Sequence, residues 1–97
     1  MRAELVMDER YVFDERSFAE LVIWRLPRRL PGSAHQFKYR LAFVVDGTCV
    51  LRYDNERGKG DHRHFVGVET PYVFRSVEQL HADFLSNVQI WNRWRSR

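Results

Sequence analysis

The chain has 97 residues, of which 44% are hydrophobic and 30% are charged, and its formal net charge is +3. This length fits one domain with a modest core, and the hydrophobic fraction argues against intrinsic disorder. A single cysteine, Cys49, excludes an internal disulfide, and the sequence has neither a visible signal peptide nor an apolar run long enough to span a bilayer. We therefore expect one cytoplasmic domain over residues 1–97, with no membrane partner.

The first third of the chain is predicted to form strands. Residues 4–7 and 10–13 are short and rich in β-formers, with a turn predicted at Asp8-Glu9 between them. A second turn over residues 14–17 leads to a longer strand, Phe18–Leu26, which Pro27 ends because proline cannot donate to a ladder. The apolar run at residues 21–24 is either central in the sheet or an edge that pairs with another copy, which leaves a homodimer open. Residues 27–36 are predicted to be a loop.

A hairpin is the strongest signal in the next segment. Strands over 37–45 and 48–53 flank Asp46-Gly47, a dipeptide typical of two-residue hairpin turns. Such a turn sets the register. It would pair Arg40 with Tyr53 and Lys38 with Asn55, and it would place these four side chains on one face.

The last third of the chain is predicted to change from strand to helix. A glycine-containing loop over residues 55–61 precedes a strand over 62–68, and residues 72–74 are short and extended. Ser76 with Gln79 three residues later forms a capping box, and the helix should run to about Trp94. Its apolar stripe is Val77, Leu80, Phe84, Val88 and Trp91. The sequence therefore predicts an α+β domain: an antiparallel sheet of five to six strands in a meander of hairpins, with a C-terminal helix packed on one face.

The charges are separated along the sequence. Six of the first twenty residues are acidic, whereas basic residues gather in 25–40, 52–64 and 93–97. Such a separation of charge is typical of a protein that binds a polyanion with its basic surface. An ordinary solvated surface explains it equally well.

The segment from Tyr53 to His64 holds the densest chemistry. Gly58 and Gly60 flank Lys59, and flanking glycines let backbone amides approach a phosphate, although no Walker motif is present. In an extended segment, His62 and His64 point to one face. Two imidazoles can divide the acid and base roles that RNA cleavage by its own 2′-hydroxyl requires.

Other interpretations of this segment remain open. His62 and His64 with Asp61 could ligate a metal, but no further ligands are evident. The same residues could bind phosphate without catalysis, or the histidines could only bond to the sheet edge. Tyr53 could donate a proton if nearby cations lowered its pKa. His35 either joins the site or caps a turn, and we favour the turn.

Several strings of the sequence, taken together, resemble the TumE family of toxins from toxin–antitoxin systems. They are Lys38-Tyr39-Arg40, Arg52-Tyr53-Asp54-Asn55-Glu56, Gly58-Lys59-Gly60-Asp61-His62-Arg63-His64, Tyr72 and Phe74. The resemblance implies a type II toxin that acts on RNA. It also implies a cognate protein antitoxin, which we expect to be a DNA-binding regulator.

Our first hypothesis is therefore a metal-independent endoribonuclease of the mRNA interferase type, without a cofactor. The alternatives are a non-catalytic module that binds nucleic acid or protein, and a metal-dependent nuclease. The candidate catalytic residues are His62, His64, Lys59, Tyr53 and Arg40, and the candidate RNA-binding residues are Lys38, Asn55, Arg63 and Arg52.

Overall fold

The chain folds into one six-stranded antiparallel sheet followed by one helix, as a computed structural model describes it over residues 2–95. The strands lie in the sheet in chain order, so every connection joins neighbours. This confirms the predicted α+β class and the meander. The elements are β1 Glu4–Asp14, β2 Ser17–Arg25, β3 Phe37–Val45, β4 Thr48–Glu56, β5 Gly60–Phe65, β6 Val68–Pro71 and α1 Val77–Arg95.

The N-terminal strand is continuous, so the predicted turn at Asp8-Glu9 is wrong. Asp8 pairs with Val22 and Glu9 with Leu21 inside the β1–β2 ladder. β1 is an edge strand whose side chains are mostly exposed, and there two acidic residues reach water without breaking the ladder. Because β2 lies between β1 and β3, the run at residues 21–24 is central. A homodimer stays a prediction, and pairing between copies would have to use an outer strand.

The Asp46-Gly47 hairpin is confirmed, with φ of 51° and 77° at its two turn residues. The predicted register fails four residues from the turn. Val44 pairs with Cys49 but Phe43 pairs with Leu51, so Val50 is an extra residue in β4. Beyond this bulge every β4 side chain changes faces relative to the prediction. Arg40 therefore lies opposite Asp54, not opposite Tyr53.

The predicted loop over residues 55–61 is also wrong in extent. Only residues 57–59 form the turn between β4 and β5. A further hairpin, which the sequence pattern does not predict, joins β5 to β6 through Val66 and Gly67, whose φ values are 50° and 79°. A valine at positive φ is uncommon, so the dipeptide did not resemble a hairpin turn. Residues 72–74 belong to no strand.

The helix begins as predicted, since the Ser76 hydroxyl accepts a hydrogen bond from the Gln79 amide at 3.0 Å. Its stripe packs on one face of the sheet, which we call the helix face, and the opposite face is called the open face. Ser96 and Arg97, part of the C-terminal basic cluster, lie outside the described residues. No helix within residues 2–95 is long and apolar enough to cross a membrane. The core on the helix face consists of Ala19, Leu21, Ile23, Tyr39, Leu41, Phe43, Val45, Leu51, Tyr53, Leu80, Phe84 and Val88.

Candidate functional site on the open sheet face

The open face carries a polar surface that spans the inner strands. Side chains alternate along each strand, so the ladder pairs fix which residues share this face. Arg40 pairs with Asp54, which pairs with His62, and Arg52 pairs with His64. The residues of the open face relevant to function are Glu20, Val22, Trp24, Lys38, Arg40, Arg52, Asp54, His62, His64 and Glu69.

His62 and His64 lie side by side on β5, which confirms that they share a face. Their ring centroids are 5.3 Å apart at an interplanar angle of 82°. The His62 side chain is only 8% exposed, whereas that of His64 is 30% exposed. The two imidazoles therefore differ in access: a ligand on the sheet surface reaches His64 more easily than His62.

Two carboxylates face the imidazoles. Nε2 of His62 lies 2.9 Å from Oδ1 of Asp54, a side chain that is 9% exposed. Oε1 of Glu69 lies 3.5 Å from Nε2 of His64 and 3.8 Å from Nε2 of His62. Asp61 is the carboxylate that the sequence suggests for this position, but the carboxylate that contacts His62 is Asp54. The strand register could have revealed Asp54 only if the bulge at Val50 had been foreseen.

Cations border this cluster on the same face. Nε of Arg52 lies 3.1 Å from Oδ2 of Asp54. Arg40 is the ladder partner of Asp54 and is exposed. Lys59 is at the tip of the β4–β5 turn, with its ammonium 3.6 Å from Glu56, and it lines a depression together with His62. The structure thus brings both predicted histidines together with Arg40, Arg52 and Lys59.

The amides of Gly58 and Lys59 are not offered to a phosphate as the flanking glycines suggest, because both donate within the protein. The Gly58 amide donates to the Pro31 carbonyl at 2.7 Å, and the Lys59 amide donates to the Glu56 carbonyl at 3.1 Å. At Gly32, where φ is +85°, an added Cβ would lie 3.2 Å from the Gly58 backbone. These glycines therefore allow the loop after β2 to pack against the β4–β5 turn.

Tyr53 lies on the helix face, away from the histidines. Its hydroxyl donates to Oδ1 of Asn87 on the helix, and its ring is 2% exposed. Burial raises the pKa of Tyr53, and the neighbouring Arg63 only partly offsets this effect. The condition under which Tyr53 could donate a proton, a pKa lowered by cations, is therefore not met. Arg63 is on this face as well and donates to Asn87 at 3.3 Å.

Asn55 is buried on the helix face, where it joins two strands. Its Oδ1 accepts a hydrogen bond from the Tyr39 amide at 3.0 Å, and its Nδ2 donates to the Phe37 carbonyl at 2.6 Å. The Lys38 ammonium donates to the Asn55 backbone carbonyl. The predicted shared face of Lys38, Arg40, Tyr53 and Asn55 is therefore wrong, because the bulge separates the two β3 residues from the two β4 residues.

His35 has a role within the loop. Its Nδ1 accepts the Phe37 amide hydrogen at 3.1 Å, so its Nε2 carries the proton that faces Oδ2 of Asp61 at 2.7 Å. The imidazole also stacks on Phe74, with ring centroids 4.0 Å apart. The Tyr39 hydroxyl donates to the same Asp61 oxygen. Burial raises the pKa of Tyr39, and this hydrogen bond raises it further. His35 and Asp61 thus hold the loop after β2 and are not part of the open-face cluster.

Asp54, His62 and His64 are the described residues that could hold a metal ion. One ligand atom from each lies within 4.8 Å of the other two. The expectation that no metal takes part in the reaction stays a prediction.

A small antiparallel meander with one face covered by a helix and a histidine–carboxylate–arginine cluster on the other defines the structural class of this protein. A family model described as toxin TumE matches residues 2–92. The chain belongs to the TumE family of toxins, which confirms the resemblance seen in the sequence and gives the protein a toxin role. A cognate antitoxin is therefore its expected partner. No curated protein and no solved structure matches the chain.

Proposed function

We propose that this toxin cleaves RNA through general acid–base chemistry on the open sheet face and that a protein antitoxin neutralises it, as in type II systems. One observation supports cleavage most directly. Two imidazoles, two residues apart on the same face of one strand, lie beside arginines on a surface that the helix leaves uncovered. Transfer of the RNA 2′-hydroxyl onto its own phosphate needs one group to accept a proton and one to donate it.

RNA binds across the strands of the open face in this proposal. Lys38 and Arg40 follow each other on that face of β3, and Trp24 pairs with Lys38 from β2. Trp24 is 38% exposed, so a base can stack on its indole while the cations contact phosphates. A groove lined by Val22, Trp24, Lys38 and Arg40 runs beside these groups. The substrate would therefore extend from the groove toward β5.

The chemistry itself is assigned to His62, His64 and the nearest cations. His64 is the more exposed of the two imidazoles, so RNA on the sheet surface contacts it more readily than His62. The Asp54 carboxylate orients His62 beside His64. Arg52 and Arg40 stabilise the charge that develops on the phosphorane, and Lys59 adds a cation at the rim. None of these steps needs a metal ion.

The test is a gel assay of RNA cleavage by purified protein in EDTA. His62→Ala and His64→Ala should each lower the rate by about 10²–10⁴-fold, because each removes one proton-transfer group. His81→Gln is the matched control, since it removes an imidazole on the helix and should cleave at the unaltered rate.

Three results would contradict this proposal. Cleavage by both histidine variants at the rate of the unaltered protein would remove the imidazoles from the mechanism. Salt-sensitive RNA binding without a product at any pH would indicate a non-catalytic module. Cleavage that EDTA abolishes and Mg²⁺ restores would indicate a metal-dependent nuclease.

The antitoxin part of the proposal has its own test. The gene beside that of the toxin should encode a small DNA-binding regulator, whose co-expression should abolish toxicity and whose protein should co-purify with the toxin. Neutralisation by an RNA instead of a protein would contradict the type II assignment.

A further inference from the structure

Asp54 has an unusual environment for a buried acid. Its side chain is 9% exposed, and Oδ1 has no hydrogen-bond partner among residues 2–95. Nε2 of His62 lies 2.9 Å from this oxygen, but the two atoms are not aligned for a hydrogen bond. On burial Oδ1 therefore loses its hydration and keeps only the ion-pair contact with His62 in exchange. Its position beside His62 and His64 makes the three side chains a candidate site for a cation.

The three side chains are held by the sheet and not by a flexible loop. Asp54 and His62 are ladder partners across β4 and β5, and His64 follows on the same strand. Their ligand atoms already lie within 4.8 Å of one another. Ligands around a tetrahedral zinc ion at bond lengths of about 2.0–2.1 Å lie about 3.4 Å apart, a spacing within reach of small side-chain rotations. The site is therefore largely formed before an ion binds.

The charges and donor types fit a transition-metal ion better than Mg²⁺ or Ca²⁺. Two imidazoles and one carboxylate are donors that Zn²⁺ prefers, whereas Mg²⁺ and Ca²⁺ prefer oxygen. Glu69 lies within 4 Å of both imidazoles and is 56% exposed, so it can swing in as a fourth ligand. The positive charge of the Arg52 guanidinium repels a cation, but this guanidinium contacts Oδ2 of Asp54 and not Oδ1.

We propose that Asp54, His62 and His64 bind one ion of the Zn²⁺ class and that this ion inhibits the toxin. The inhibitory half rests on the proposed function, because a bound ion occupies the nitrogen atoms that RNA cleavage needs for proton transfer. The binding half rests only on the cluster itself. The bound ion stabilises the fold as well, since binding to the folded state alone shifts the unfolding equilibrium.

Binding is tested on the full chain after removal of metal by chelation. Isothermal titration with Zn²⁺ should give one site per chain, and Co²⁺ at that site should show the visible absorption of tetrahedral coordination. Asp54→Asn and His64→Gln should each weaken binding by at least about tenfold. The control His81→Gln should bind like the unaltered protein. Circular dichroism of each variant checks that it is folded.

Absence of a stoichiometric site would overturn the inference, and so would equal affinity in the folded Asp54→Asn variant. In the cleavage assay, one equivalent of Zn²⁺ should inhibit and EDTA should restore the rate. Activation by Zn²⁺ would overturn the inhibitory half and would make the ion catalytic. If the protein binds Zn²⁺ at this site but cleaves no RNA in either state, the proposed function fails and the metal site stands.

Discussion

Replacement of Asn55 by alanine tests whether this residue holds the sheet together or contacts RNA. Asn55 is 1% exposed, and its side chain makes two hydrogen bonds to β3. The ladder between β3 and β4 ends at the pair Arg40–Asp54, so these two bonds continue the connection beyond the ladder. Asn55→Ala leaves the Tyr39 amide and the Phe37 carbonyl without these partners. Each unsatisfied buried group costs about 1–3 kcal/mol, so for the two groups together we expect a loss of about 2–6 kcal/mol. A domain of this size has a total stability of only about 5–15 kcal/mol.

The measurement is urea denaturation followed by tryptophan fluorescence, with cleavage measured where each variant is folded. Gln36→Ala is the control, because its exposed amide makes one surface bond to the Pro27 carbonyl and its loss should cost less than about 0.5 kcal/mol. Folded Asn55→Ala should cleave RNA at close to the unaltered rate. If Asn55→Ala were as stable as the unaltered protein but bound RNA weakly, Asn55 would be an RNA contact and its assignment to the helix face would be refuted.

Two further predictions concern the buried tyrosines. Burial raises the pKa of Tyr39 and Tyr72, and hydrogen bonds to Asp61 and Asp83 raise both further. A folded-state pKa above the unfolded value of about 10 means that this stabilisation is complete below that pH and is lost as the pH rises above it. The urea concentration at the unfolding midpoint should therefore fall as the pH rises above about 10, and it should fall less steeply in Tyr39→Phe. A midpoint that stayed constant up to about pH 11 would contradict this prediction. Tyr53→Phe should cleave RNA within about twofold of the unaltered rate. It should lose about 0.5–1.5 kcal/mol of stability, because the missing hydroxyl donates a hydrogen bond to Asn87. A folded variant with a rate about 100-fold slower would place Tyr53 in the chemistry.

Local patterns in the sequence predicted most of the fold. Asp46-Gly47 supplied a turn that needs positive φ at two positions, and Ser76 supplied the helix cap. The stripe through Leu80, Phe84 and Val88 is the face that the helix buries. Each of these features is set by residues close together in the chain, so a single sequence contains the information. The same holds for the shared face of His62 and His64, which follows from strand alternation alone.

The composition of the site was decided by tertiary structure. One extra residue at Val50 changes the face of every later side chain in β4, and no residue type there signals a bulge. That single shift placed Asp54 beside the histidines and buried Tyr53 and Asn55 on the opposite, helix face of the sheet. Glu69 joins the cluster only because a Val66-Gly67 turn, unrecognised in the sequence, folds β6 back against β5.

The sequence by itself therefore determined most of the elements and the pair of imidazoles, because these depend on short-range propensity and periodicity. The strand register decides which charged groups face those imidazoles. This register depends on how the whole sheet packs against its helix.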